Sequence, residues 1–226
     1  MNFTTKLNQI FLYRDVNVVT SENHVELKKI VLEAIKNGNN RPLQEQILDL
    51  PRDLPPEIPR SQLVFKEPHF EVLTSLNRVV ISSLENENID DFIGENQQLL
   101  KKLDFIEAIS CLGVLQQIGA SIDEKEYDDV KQKILQEKLT KINSDTKLLS
   151  VVIDYYYSSG VFPDNQYVVK TTLSLDRQNL IIGFDSKYQK KIRGMSLEKV
   201  EEGLKELKEK IKEISKTLID ELCIQQ

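Results

Sequence analysis

Apolar and polar positions along this chain alternate with two periods, one of two residues and one of three to four, and the switches between them mark out its elements. Residues 7–19, LNQIFLYRDVNVV, are rich in branched and aromatic side chains and predict a strand bent near Asp15. A helix is predicted from Glu22 to Asn37, with Ser21 as N-cap and Gly38 as stop; Leu27, Ile30, Val31, Ala34 and Ile35 share one face. Residues 39–60 hold five of the seven prolines. Proline removes an amide donor and restricts its predecessor, so this stretch predicts an extended connector rather than an element. Gln62 to Lys66 follows as a short strand. Phe70, Val72, Thr74 and Leu76 then share a strand face, Asn77 and Arg78 turn the chain, and Val79 to Ile81 return it. Ile89 to Leu103 predicts a helix weakened by Gly94, with Phe92, Leu99, Leu100 and Leu103 inside. Residues 105–122 alternate through Ile106, Ala108, Ser110 and Leu112 as a long strand. Asp123 to Lys141 predicts a helix with Tyr127, Val130, Ile134 and Leu135 as its stripe.

The second half opens with KLLSVVIDYYYSSGVF, residues 147–162, a strongly strand-like run. Val169, Thr171, Leu173 and Leu175 alternate on one face, Asp176 to Asn179 turn, and Leu180 to Phe184 return before a helix capped by Ser196. A hairpin followed by a helix therefore occurs twice, at about 60–122 and about 147–226. The simplest account is two related units pooling their apolar faces in a single domain spanning 1–226, the alternative being chance similarity between two amphipathic hairpins. The last helix is the most regular element. Leu197, Val200, Leu204, Leu207, Ile211, Ile214 and Leu218 step by three and four as a heptad seam, over a length of roughly 40 Å. Such a seam wants a long partner. The sequence leaves two open: the protein's own sheet, or the same helix of a second copy in a homodimer.

Charge and composition narrow the function classes. With 36 acidic against 30 basic side chains, the formal net charge is −6, which disfavours nucleic acid as a general partner. The only compact basic run is YQKKIR, Tyr188 to Arg193, which reads as a solvated loop. Cys111 and Cys223 are far apart and lack a CxxC partner, and His24 and His69 have no second ligand at metal spacing, so neither a disulfide nor a metal is expected. No phosphate loop, nucleophile elbow or dinucleotide fingerprint is present, and no cofactor is implied. The start of the chain does not read as a signal peptide and no run approaches the length of a membrane span, so the expectation is a cytoplasmic protein.

One arrangement has catalytic potential. VVIDYYY places Asp154 in an apolar strand, and LIIGFDSK puts Asp185 and Lys187 at the end of another. A strand aspartate with a later D-x-K is how nucleases of the PD-(D/E)xK type hold Mg²⁺ and activate water, two carboxylates taking the hard cation and the lysine the nucleophile.

The end of the chain, from TLSLDRQNLIIGFDSKYQ through MSLEKVEEGLKELKEKIKEISKTLIDEL, resembles the end of a sporadically distributed family of uncharacterised bacterial proteins: a strand with an acidic end, a loop, then a long terminal helix. FIEAISCLGVLQQIG is similar to that family's central Leu-Gly strand. The resemblance implies an α+β fold akin to the export chaperone SecB, and no particular reaction. The family's patchy distribution implies a setting in mobile elements or phage defence.

The expectation is an α+β protein: an antiparallel sheet from two related hairpin-helix halves, helices on one face, and a long C-terminal helix. Its expected role is that of a non-enzymatic protein-interaction module that self-associates through the seam, as an accessory component of a bacterial or phage defence or counter-defence system. The alternative is the Mg²⁺-dependent nuclease using Asp154, Asp185 and Lys187.

Overall fold

The computed structural model describes residues 1–14, 21–34, 43–48, 50–51, 53–66, 69–84, 87–103, 109–138, 149–193 and 195–223. The expectations placed at Asp15, Ile35, Gly38, Pro42, Ile106 and Ala108, and on the side chains of Ser21 and Leu135, lie outside the described residues. The element order is β1 (Thr4–Arg14), α1 (Ser21–Ala34), β2 (Leu43–Ile47), β3 (Ser61–Phe65), β4 (Phe70–Thr74), β5 (Arg78–Leu84), α2 (Ile89–Lys102), β6 (Ile109–Ser121), α3 (Glu124–Lys138), β7 (Leu149–Ser158), β8 (Gln166–Leu175), β9 (Asn179–Tyr188) and α4 (Leu197–Cys223). The fold is α+β. All these strands join one sheet in the order β2-β3-β4-β5-β1-β6-β9-β8-β7, and every neighbouring pair is antiparallel.

Apart from β2, which the first half adds at its edge, that order reads the same from both sides of the β1–β6 pair. The first half runs strand, helix, four-strand meander, helix, and the second runs strand, helix, three-strand meander, helix; each folds its meander back beside its own first strand: β2-β3-β4-β5-β1 on one side, β7-β8-β9-β6 on the other. The first strands of the two halves, β1 and β6, pair with each other. Ile10 lies opposite Ile81 of β5, and Ile118 lies opposite Ile182 of β9, so the two isoleucines hold the same place in the two halves. By the same correspondence Asn8 matches Gln116, and these two are also directly opposite each other in the β1–β6 ladder. A pseudo-twofold axis therefore passes through the Asn8–Gln116 pair. In each half a strand and a helix precede the meander. β6 opens the second half instead of closing the first, because only long-range pairing shows which strand closes each meander.

Strand alternation gives the sheet an inner and an outer face. Inward lie Ile10 and Leu12 of β1, Leu63 and Phe65 of β3, Leu112 and Val114 of β6, and Ile182 and Phe184 of β9, all buried. The helices cover this face: α2 packs on α1, α4 and β1, α4 lies on β6, β8 and β9, and Tyr127 and Val130 bring α3 into the same core. A register shift between Thr5 and Leu7 adds a residue and reverses the alternation, so Met1 and Phe3 also pack on the core. Caps follow the local chemistry. Asn88 accepts from the Asp91 amide (2.9 Å), Ser196 from that of Lys199 (3.3 Å), and Asp123 and Glu126 cap α3 reciprocally.

Two expectations are corrected. The proline-rich connector contains a strand, β2, whose residues carry no proline and pair with β3 from Leu43↔Phe65 to Ile47↔Ser61. Proline excludes a strand only where its missing amide is needed, and the prolines from Pro51 to Pro59 fall beyond β2. The second correction concerns the heptad seam. Val200, Leu204, Leu207 and Ile211 are 0% exposed and Ile214 is 8% exposed within the single chain, with Leu197 and Leu218 half-buried against the same core. Of the two partners the sequence leaves open, the protein's own sheet has taken the seam, so these residues do not form a face for a second copy.

Gly203 lets α4 settle this closely. A Cβ there would sit 2.9 Å from Leu112 Cδ1 and 3.1 Å from the Phe162 ring, both deep in the core. Gly94 on α2 is the contrast, with open space where a Cβ would go. Gly203→Val should therefore destabilise by about 1–3 kcal/mol through overpacking, whereas Gly94→Ala should stabilise by up to about 1 kcal/mol. Urea denaturation distinguishes them; equal and small effects would mean that α4 has room to retreat.

Candidate functional site

The site grows from the last strand of the sheet. β7, LSVVIDYYYS, is built from branched and aromatic residues that favour a pleated, half-buried surface. Val151, Tyr155 and Tyr157 point inward and pack on the core, while Val152 and Tyr156 point outward and are 53% and 64% exposed. Among the described residues no strand lies beyond β7, so one row of its backbone N–H and C=O groups is open. The opposite edge is different. β2 has five residues, LQEQI, mostly polar, and its Glu45 is engaged by Lys28 and by His24 Nε2 (2.8 Å) from α1. A short polar edge is a poor template for another strand, and a ten-residue aromatic one is a good template.

β7 is also held firmly. Glu206 of α4 reaches the loop after it, where its carboxylate accepts from Ser159 Oγ (2.7 Å), the Gly160 amide (2.6 Å) and Tyr188 Oη (2.5 Å). Burial, and then the Glu206 carboxylate, raise the Tyr188 hydroxyl well above its ordinary range, so it remains a donor. Tyr157 stacks on Tyr167, with centroids 5.4 Å apart, and Lys210 of α4 sits 4.6 Å over the Tyr157 ring. No motif announces Glu206: on a helical wheel it is one more flank residue beside the seam.

The three candidate nuclease residues share the outer face, but the sheet arranges them as a ladder. Asp154 lies opposite Lys170 of β8, and Lys170 lies opposite Asp185 of β9. A whole strand separates the two carboxylates, roughly 10 Å at ordinary strand spacing, with an ammonium group between them. Lys187 turns away to the other side, its Nζ 4.0 Å over the ring of Tyr13. Among the described residues no three of His, Cys, Asp and Glu cluster in a way that could hold a metal. The arrangement neutralises charge across the strands, and Asp154 stands at its open end, between Val152 and Tyr156.

Desolvation by the surrounding sheet holds the Asp185 carboxyl above its ordinary range, against the pull of Lys187 and Lys170. Burial also pushes the Cys111 thiol up to about 11, so it stays protonated, with Sγ 3.2 Å from the Tyr188 carbonyl oxygen. No described helix is long and apolar enough to cross a membrane.

A carboxyl whose folded pKa is raised costs stability when ionised. That cost is complete above the folded pKa and disappears as pH falls below the unfolded one. Asp185→Asn should therefore match or exceed the parent in stability at neutral pH, by less than about 1 kcal/mol for so solvent-reached a group, and the gap should close in acid. Denaturation at both pH values measures it; a destabilised variant at neutral pH would mean that the lysine pairing outweighs desolvation. No protein-family model matches this chain, and no curated protein matches it either.

Proposed function

We propose that this protein is an interaction module that takes up an extended segment of a partner protein along the open edge of β7. The observation that carries the reading is the combination on that edge: ten residues of branched and aromatic strand with a single charge, Asp154, set between the exposed side chains of Val152 and Tyr156. Strand addition supplies affinity through main-chain hydrogen bonds, and specificity through the side chains that face across the new pair. The complement of apolar, acidic, apolar at alternate positions is a strand with an apolar residue, any residue, Lys or Arg, any residue, and a second apolar residue.

Charge argues for a different chain in that place over a second copy. β7 carries no cation, so two β7 strands paired antiparallel about Asp154 would bring two carboxylates to one seam, each offset only by Lys170 of its own β8. The nuclease alternative draws no support from a ladder that keeps Lys170 between its carboxylates.

Fluorescence anisotropy with ten-residue extended peptides tests the reading. A peptide with Lys opposite Asp154 should bind better than the same peptide with Glu. Asp154→Lys should invert that order, each like-for-opposite exchange costing about 0.2–1 kcal/mol, or up to about fivefold in affinity. Tyr156→Ser should weaken both. Two peptides that bind equally, or a solution mass showing a dimer that Tyr156→Lys disrupts, would replace this occupant with another.

A further inference from the structure

Among the described strands, β2 alone has no counterpart across the pseudo-twofold. From the matched pair Ile81 and Ile182 the ladders step outward, through Val72 to Leu63 on one side and through Leu173 to Val151 on the other. Leu63 of β3 and Val151 of β7 therefore hold the same place in the two halves, and β3 and β7 are equivalent edges. Glu45 of β2 lies opposite Leu63. The row of main-chain groups that β7 presents openly, β3 has given to a strand of its own chain.

The hold on β2 is local and largely polar. Four of its five residues are exposed, Ile47 to 49%, and Leu43 packs against the core. Little apolar burial keeps the strand in place. Its side-chain anchor is Glu45, whose carboxylate accepts from Lys28 Nζ and meets Nε2 of the buried His24 at 2.8 Å, both from α1. These contacts, the Lys28 bond first, hold the Glu45 carboxyl below its ordinary range. The chain beyond β2 is anchored separately. Arg60, 6% exposed, donates to the carbonyls of Leu50 (2.5 Å) and Pro51 (2.9 Å). Lifting β2 would break a five-residue ladder and the contacts of one carboxylate, without undoing that anchor.

We propose that β3 is a second acceptor edge for an extended segment of a partner protein, kept shut by β2 as a tethered stand-in whose latch is Glu45. The inference rests on the reading of β7, since it gives the same role to the equivalent edge. A tethered strand competes at roughly millimolar effective concentration, so a partner segment takes β7 first and β3 once the latch is weakened. The segment that replaces β2 meets the same surroundings. It carries an acidic residue opposite Leu63, where Lys28 and His24 receive it as they now receive Glu45.

The test is titration of the full chain with the synthetic peptide LQEQILDL, the sequence of residues 43–50. Amide shifts report on β3 through Leu63 and Val64, and on β7 through Val152 and Asp154. E45K sets a like charge beside Lys28 and should bind the peptide at β3 at least about fivefold more tightly than the parent does. A peptide with Lys in place of its Glu should lose that gain. Gln46 and Gln62 lie directly opposite each other, so an oxidised Q46C/Q62C staple should close β3 again in the E45K background, and reduction should reopen it. Binding at β7 without shifts at β3 in E45K would overturn this inference alone, whereas no binding at either edge would remove the β7 reading with it. Equal affinity of E45K and parent at β3, or a gain that survives the oxidised staple, would also overturn it.

Discussion

Two half-sheets meet along a single strand pair, β1 against β6, and the rest of the molecule depends on that ladder keeping its register. A slip of one residue would turn Ile10, Leu12, Leu112 and Val114 from the helical layer to the outer face and break the core in both halves. At its centre stand Asn8 and Gln116, both buried on the inner face. Asn8 donates to the Glu87 carbonyl (2.7 Å), at the approach to α2, so a polar group on the pseudo-twofold axis also positions a helix. A buried amide has few satisfactory placements in an apolar layer, which makes it a more selective marker of register than another leucine.

The helical layer completes what the ladder begins. α4 crosses both β6 and the second meander, and it approaches closely because Gly203 presents no side chain to Leu112 and Phe162. Its polar flank is used as well. Lys208 and Lys212 reach Asp90 of α2 (2.7 and 2.6 Å) and hold its carboxyl below the ordinary range, a modest bond at this exposure but one that joins the closing helices of the two halves. Glu206 fixes the turn after β7. The open edge is consequently presented by a rigid frame, and a strand that adds to it has little ordering cost on this side.

The symmetry of the sheet stops at its margins. One half ends in the short polar β2, the other in the long aromatic β7. The outer-face charges alternate across β7, β8 and β9, Asp154 against Lys170 against Asp185. The two halves thus differ at their borders.

Much of this was legible in the chain itself. Alternation at Phe70–Thr74 and Val169–Leu175, the two-residue turns, the cap at Ser196, and the heptad spacing of α4 are local patterns, and local geometry dictates them. The seam's apolar character was equally plain, as was the exceptional strand propensity around Asp154. Which surfaces meet was not. β1 and β6 are separated by about a hundred residues, and nothing in either says that it will pair with the other, or that Lys170 will stand between Asp154 and Asp185. β2 was hidden by prolines that lie beside it, and nothing local shows that Asn165 will clamp the Lys190 backbone of YQKKIR. Periodicity fixes which face of each element is apolar, because that follows from backbone geometry over a few residues. The neighbour each face receives is chosen by packing the whole chain at once, and only the tertiary structure records that choice.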